Sequence, residues 1–176
     1  DGQRAVRLNG GGRLRVGAAV GTGKDALDRT AAMVDAGLDV VFIDVAHAHT
    51  KDALATVSQI RQQRSSEVQI VAGNVATPDA ARSLIDAGAD AVKVGVQGGD
   101  ISAILKVAEQ CAMTDTPLTA ECRGAADGEK IAKALGAGAE SVVLDAPFAG
   151  SDASPGHVVY KNGQACKTAA HPPVKN

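Results

Sequence analysis

One short signature occurs three times about fifty residues apart: Asp35-Ala-Gly-Leu-Asp39-Val-Val, Asp86-Ala-Gly-Ala-Asp90-Ala-Val and Gly136-Ala-Gly-Ala-Glu140-Ser-Val. That spacing is two strand-helix units of roughly 25 residues each. Each copy reads as a helix end. Gly37, Gly88 and Gly138 stand at the C′ position, where a left-handed backbone disfavours any residue with a Cβ. The acidic residue two positions on leads into an apolar run.

Between the signatures, short apolar runs alternate with stretches of helical periodicity. The expected strands are Leu14 to Val20, Val40 to Asp44, Val68 to Ala72, Ala91 to Val96, Leu118 to Glu121 and Ser141 to Leu144. The expected helices are Lys24 to Ala36, Lys51 to Gln63, Pro78 to Ala87, Ile101 to Ala112 and Gly128 to Ala137, after which the helical pattern stops. Thr77-Pro78 reads as an N-cap followed by proline at the first helical position. About six alternating units imply an α/β fold with a parallel sheet and outer helices, because parallel neighbours need crossover connections. Periodicity alone does not separate a doubly wound sheet from a barrel of TIM type. In both, chemistry sits at the carboxyl ends of the strands.

The 176 residues suit one domain, 1–176, with a polar leader at 1–12 and an irregular C-terminal segment at 151–176. A complete eight-unit barrel usually needs roughly 200 residues or more, so an incomplete or atypically closed barrel is expected. Hydrophobic residues make up 45% of the chain and aromatics 2%, the composition of buried parallel strands under Ala-rich helices. Eighteen basic against 20 acidic residues, a net charge of −2, give no pull on phosphate backbones, and one Tyr with two Phe offer no stacking platform. Nucleic acid and membrane partners are therefore not expected. Neither a membrane span nor the apolar core of an export signal is visible. Cys111, Cys122 and Cys166 are odd in number and show no paired short spacing, as fits reduced thiols in a cytoplasm.

Asp44, Asn74, Glu121 and Asp145 end otherwise apolar strands, and Lys93 lies just inside the fourth. They either form a binding rim or cap loops, with Lys93 pairing an acid inside the barrel. Gly21-Thr-Gly23-Lys24 and Gly98-Gly99 are possible anion nests, though neither has P-loop or dinucleotide spacing and Asp100 opposes an anion at the second. His47 and His49 lack a third metal ligand, so no metal site is expected. Cys111 reads as a core thiol. Cys122, beside Arg123 at a strand end, is the one cysteine for which a lowered pKa is conceivable.

The segments Gly12-Arg-Leu-Arg-Val-Gly-Ala-Ala-Val-Gly21, Asp44-Val-Ala-His-Ala-His-Thr50, Ala72-Gly-Asn-Val-Ala-Thr77 and Ala87-Gly-Ala-Asp-Ala-Val-Lys-Val-Gly95 together resemble the inosine-monophosphate dehydrogenase and GMP reductase family. The likeness continues in order through Ile131-Ala-Lys-Ala-Leu135 and Phe148-Ala-Gly150. It implies strands three to eight of a (βα) barrel that binds a purine nucleotide and NAD, with oxidation of IMP to XMP as the family reaction. By the same resemblance Asp44 would hold the nicotinamide ribose, and Asn74 and Lys93 would line the reaction centre. Gly95 would begin the catalytic loop, and Glu121 would stand where an aspartate binds the nucleotide ribose.

Departures from the family pattern fall on the substrate side. Val96-Gln-Gly-Gly-Asp100 replaces the loop that carries the nucleophilic cysteine, Glu121-Cys122-Arg123 replaces Asp-Gly-Gly, and Asp145-Ala146 replaces Gly-Ser. Lys167-Thr-Ala-Ala-His-Pro-Pro173 replaces the segment that embraces the purine. Without a nucleophile the covalent step has no agent, so this chain alone is expected to be inactive. The alternatives are a catalytically silent or engineered barrel scaffold acting by binding or assembly, and a GMP reductase-like protein. A homo-oligomer or a partner chain completing the barrel is expected.

Overall fold

The computed structural model describes residues 12–64, 67–95, 101–122, 128–152, 154 and 156–168. Five strand-helix units run in order: β1 (Gly17–Val20) and α1 (Gly23–Asp35), β2 (Val40–Asp44) and α2 (Lys51–Arg64), β3 (Gln69–Val75) and α3 (Pro78–Asp86), β4 (Ala91–Val94) and α4 (Ile101–Ala112), β5 (Leu118–Glu121) and α5 (Gly128–Gly136). The sixth strand, β6 (Ser141–Val143), leads into a one-turn helix, α6 (Ala146–Ala149). The six strands pair in sequence order, every pair parallel. A doubly wound sheet reverses its strand order at a switch point. No reversal occurs, so the sheet winds one way and curls into a half-barrel.

The core lies between sheet and helices. Val41, Ile43, Ile70, Ala72, Val92, Val94, Leu118 and Ala120 point to the helix side and are buried, against Ala53, Val57 and Ile60 of α2, Leu84 of α3, and Ile104 and Val107 of α4. Small and β-branched residues fill this layer because helices packing closely on a parallel sheet leave little room for rings. Among the described residues no helix is long and apolar enough to cross a membrane.

The repeated signature acts as expected at its glycines. Gly37, Gly88 and Gly138 have φ of 97°, 107° and 104°. The acids that follow do more than lead into a strand. Asp39 Oδ2 accepts from Val16 N at 2.9 Å, and Asp90 Oδ2 accepts from Ile70 N at 2.7 Å. Each carboxylate thus pins the preceding strand, and Arg61 of α2 also pairs with Asp90. Thr77 caps α3, its Oγ1 accepting from Ala80 N at 3.3 Å, with Pro78 at the first helical position. Thr77→Ala is expected to cost about 1 kcal/mol, readable as a lower urea midpoint with an unchanged slope.

Two expectations need correction. The first strand begins at Gly17, not Leu14; Leu14 and Val16 are exposed. The segment from 151, expected to be irregular, contains an antiparallel hairpin of β7 (Val158–Lys161) and β8 (Gln164–Lys167). Its turn is Asn162-Gly163, both at positive φ, which is the strongest short hairpin signal a sequence carries. A search for helix-strand alternation passes over it because neither strand has a buried face.

Candidate functional site

Register assembles the site. Asp44, Gly73, Lys93, Thr119 and Ser141 stand side by side across β2 to β6. Residues in register on parallel strands share a face, here the concave one, opposite the helix-facing core. Glu121, two residues beyond Thr119, lies on that face one step nearer the carboxyl ends.

Lys93 is the centre of this row. Its Nζ donates to Asp44 Oδ1 at 2.7 Å and to Glu121 Oε2 at 2.6 Å. Lys93 is only 2% exposed, whereas the side chains of Asp44 and Glu121 are 22% and 15% exposed. The ammonium therefore sits beneath the rim, and the two carboxylates reach toward it. A buried lysine remains charged only if partners replace its water. Two carboxylates thus share one buried ammonium. Gly73 makes the reach to Asp44 possible, because a Cβ there would lie 2.6 Å from Lys93 Cβ.

Asn74 follows at a register break, β3 slipping against β4 between Gly73 and Val75. Its backbone turns to the loop after β2: Asn74 N donates to Val45 O at 2.7 Å, and Ala48 N donates to Asn74 O at 2.9 Å. The side chain lies over Gly95, where an added Cβ would fall 2.2 Å from Asn74 Cγ. Asn74 Oδ1 is buried and has no hydrogen-bond partner among the described residues. A buried acceptor in that state costs about 1–3 kcal/mol, and a bound donor would recover it.

The strand-end residues named from the sequence thus separate into two groups. Asp44, Lys93 and Glu121 form one ion-paired cluster, while Asn74 and Gly95 pack on each other beside it. Asp145 stands beyond the end of β6 and is exposed. Gly98-Gly99 and Arg123 lie outside the described residues. In the other glycine cluster, the amide of Gly23 is given to Thr56 Oγ1 at 3.0 Å, so that N–H is not held out for an anion. His49 Nε2 lies 3.3 Å from Ser83 Oγ of α3.

Cys122 departs from expectation. It is buried, and its pKa moves up, through burial first; the Lys130 charge pulls it down and Glu121 adds to the rise. Leaving water outweighs the attraction of a nearby cation, so the thiol stays protonated and is a poor nucleophile. Cys111, a core thiol as expected, is pushed up from 9.0 to about 11 by burial and by Glu140. The folded state keeps that proton after the unfolded chain has lost it. The thiol's contribution to stability is therefore whole below about pH 9 and is lost as pH rises toward about 11. Between those values the protein should lose roughly 1.4 kcal/mol per pH unit more than Cys111→Ala does. Parallel stability curves for the two proteins would assign the loss to another group.

Sequence reading missed Gly73 and the pair Thr119 Oγ1 and Ser141 Oγ, 2.9 Å apart on the same row. The signal was available for Thr119, two residues before Glu121 in a strand of period two. No local signal marks Gly73, whose role depends on the neighbouring strand.

The comparisons with known proteins agree with this geometry. The profile of the IMP dehydrogenase / GMP reductase domain matches residues 4–170. Inosine-5′-monophosphate dehydrogenase of Aquifex aeolicus is 45% identical over 170 residues, covering 89% of this chain and 34% of the relative. GMP reductase of Leishmania donovani is 41% identical over 180 residues, covering 94% of this chain and 37% of the relative. The crystal structure of a Cys-to-Ala variant of GMP reductase from Trypanosoma brucei superposes with a TM-score of 0.85 at 39% identity, covering 91% of this chain and 38% of that one. Its complex with guanosine 5′-monophosphate gives 0.84. The chain thus spans about a third of the length of the curated relatives it matches. With the family model matching residues 4–170 and the relatives' identity and fold in agreement, the chain belongs to the IMP dehydrogenase / GMP reductase family.

Proposed function

We propose that this chain is a nucleotide-binding part of an IMP dehydrogenase-type oxidoreductase, working in the cytoplasm, and that by itself it binds without turning over. The observation that carries the reading is the intact Asp44–Lys93–Glu121 cluster combined with a strand-end thiol, Cys122, that is buried and held protonated. Asp44 would hold the ribose of NAD, and Glu121 with Gly95 would face the purine nucleotide. Asn74 and Lys93 would line the reaction centre.

The residues fit such ligands on one point: the unpartnered Oδ1 of Asn74 accepts a hydroxyl or amide donor, groups that both ligands carry. Bound NAD would supply the hydride acceptor. This chain's own part is to orient the ligands and to hold Asp44 beside Lys93, while among the described strand-end residues none is set to form the covalent bond. The parallel edges at β1 and β6 call for cover, so the working state is a homo-oligomer or a complex with a chain that completes the barrel.

Calorimetry with NAD should show binding that Asp44→Asn weakens about tenfold, the worth of one hydrogen bond to a charged group. Mixing the chain with IMP and NAD should raise no NADH absorbance, and mixing it with GMP and reduced cofactor should consume none. Turnover in either assay, abolished by Cys122→Ala, would overturn the silent reading; binding indifferent to Asp44→Asn would remove its role.

A further inference from the structure

The loop from β2 to α2 runs beside Asn74, and one side-chain contact ties it to the neighbouring helix. Ala48 N donates to Asn74 O at 2.9 Å, and the Ala48 side chain is fully buried. On the next residue, His49 Nε2 lies 3.3 Å from Ser83 Oγ of α3. α3 itself begins shortly after Asn74, its first turn capped by Thr77. The contacts therefore close a ring: Asn74 leads through α3 to Ser83, Ser83 meets His49, and Ala48 returns to Asn74.

Chemistry fixes the direction of the His49 contact. A serine hydroxyl has one proton, and that of Ser83 is given to Asp79 O at 2.9 Å, one helical turn back. Toward His49 the oxygen can only accept, so His49 Nε2 carries a hydrogen and donates it. The loop is fixed at both ends: Val45 exchanges backbone hydrogen bonds with Gly73 and Asn74, and Thr50 Oγ1 accepts from Ala53 N in the first turn of α2 at 3.3 Å. Between those ends Ala46 and His47 are exposed. Segments with few buried contacts open locally, and the bond from His49 to Ser83 holds this one at its middle.

We propose that His49 is a positioning residue: by donating to Ser83 it holds the loop down on α3, keeps the Ala48 amide on Asn74, and so fixes where Asn74 Oδ1 meets a ligand. The meeting with a ligand rests on the proposed nucleotide binding, whereas the hold on Asn74 does not.

Isotope-labelled protein and three variants test it. His49→Met keeps the reach of the side chain and loses the donor, His49→Gln keeps both reach and an N–H, and Ser83→Ala removes the acceptor. His49→Met and Ser83→Ala should each speed hydrogen exchange at the Ala48 amide and weaken NAD binding by roughly three- to fivefold, the worth of one neutral hydrogen bond. Combined, they should do no more than either alone, because they break the same bond. The side-chain amide resonances of Asn74 should shift in His49→Met, and His49→Gln should restore resonances, exchange and affinity, which a histidine that only filled space would not require. Arg82→Ala, which breaks an exposed ion pair on the same helix, is the control and should move none of them. If the wild-type chain does not bind NAD, the nucleotide reading falls, and Ala48 exchange with the Asn74 resonances still decides the role of His49. Wild-type exchange and unmoved Asn74 resonances in His49→Met would overturn the proposal. So would faster exchange with unchanged NAD affinity, or a His49→Gln variant that behaves like His49→Met.

Discussion

Lys93→Met is expected to destabilise the protein by about 3–5 kcal/mol, the cost of removing one member of a buried ion pair. For a chain of this size that is a fall in Tm of roughly 10 °C or more. The reason lies in what is left behind: Asp44 and Glu121, both largely withdrawn from water, would face each other across the space that Lys93 Nζ fills. Methionine replaces the methylene stem, so packing over Gly73 is kept and the loss is electrostatic. Lys93→Met/Asp44→Asn/Glu121→Gln removes all three charges and should recover most of the stability, because an uncharged cluster needs no counter-ion. Urea denaturation of wild type, single and triple variants decides the matter. A single variant as stable as wild type would mean that the ion pairs contribute nothing net.

Gly73→Ala is expected to cost about 3 kcal/mol, the upper end of the overpacking range. The new Cβ would lie 2.4 Å from the carbonyl oxygen of Lys93 and 2.6 Å from its Cβ. Neither atom is the tip of a flexible side chain, so β3 and β4 must move apart, and Lys93 moves with β4. Gly21→Ala is the control: nothing lies within 4 Å of the Cβ it adds, and its effect should stay under about 1 kcal/mol in either direction. If Gly73→Ala keeps the wild-type urea midpoint, the two strands have slack that this packing does not show. If it unfolds the chain at a lower midpoint while Gly21→Ala does not, the close approach at Gly73 is what sets the geometry of the Lys93 cluster.

Much of this was legible in the residues. Gly37, Gly88 and Gly138 announce helix ends because only a residue without a Cβ takes that backbone cheaply, and all three take it. β2, α4 and β5 have the bounds that their apolar patterns imply. Cys122 was less legible. Its neighbour Arg123 suggested a lowered pKa, but burial is a property of the packed chain and it raises the pKa instead.

By itself the sequence determined the strand-helix units, their parallel sense, the helix ends and the family, since each rests on local backbone preference, on periodicity or on matched residues in order. Only the tertiary structure decided that the sheet winds one way, and which acids Lys93 takes. Its partners are 49 and 28 residues away, and nothing in a one-dimensional pattern says which strand lies beside which or in what register. A slip of one residue would turn Lys93 into the helix layer. The register of β2 to β5, with room left at Gly73, is what turns three separate strand-end residues into one ion-paired site.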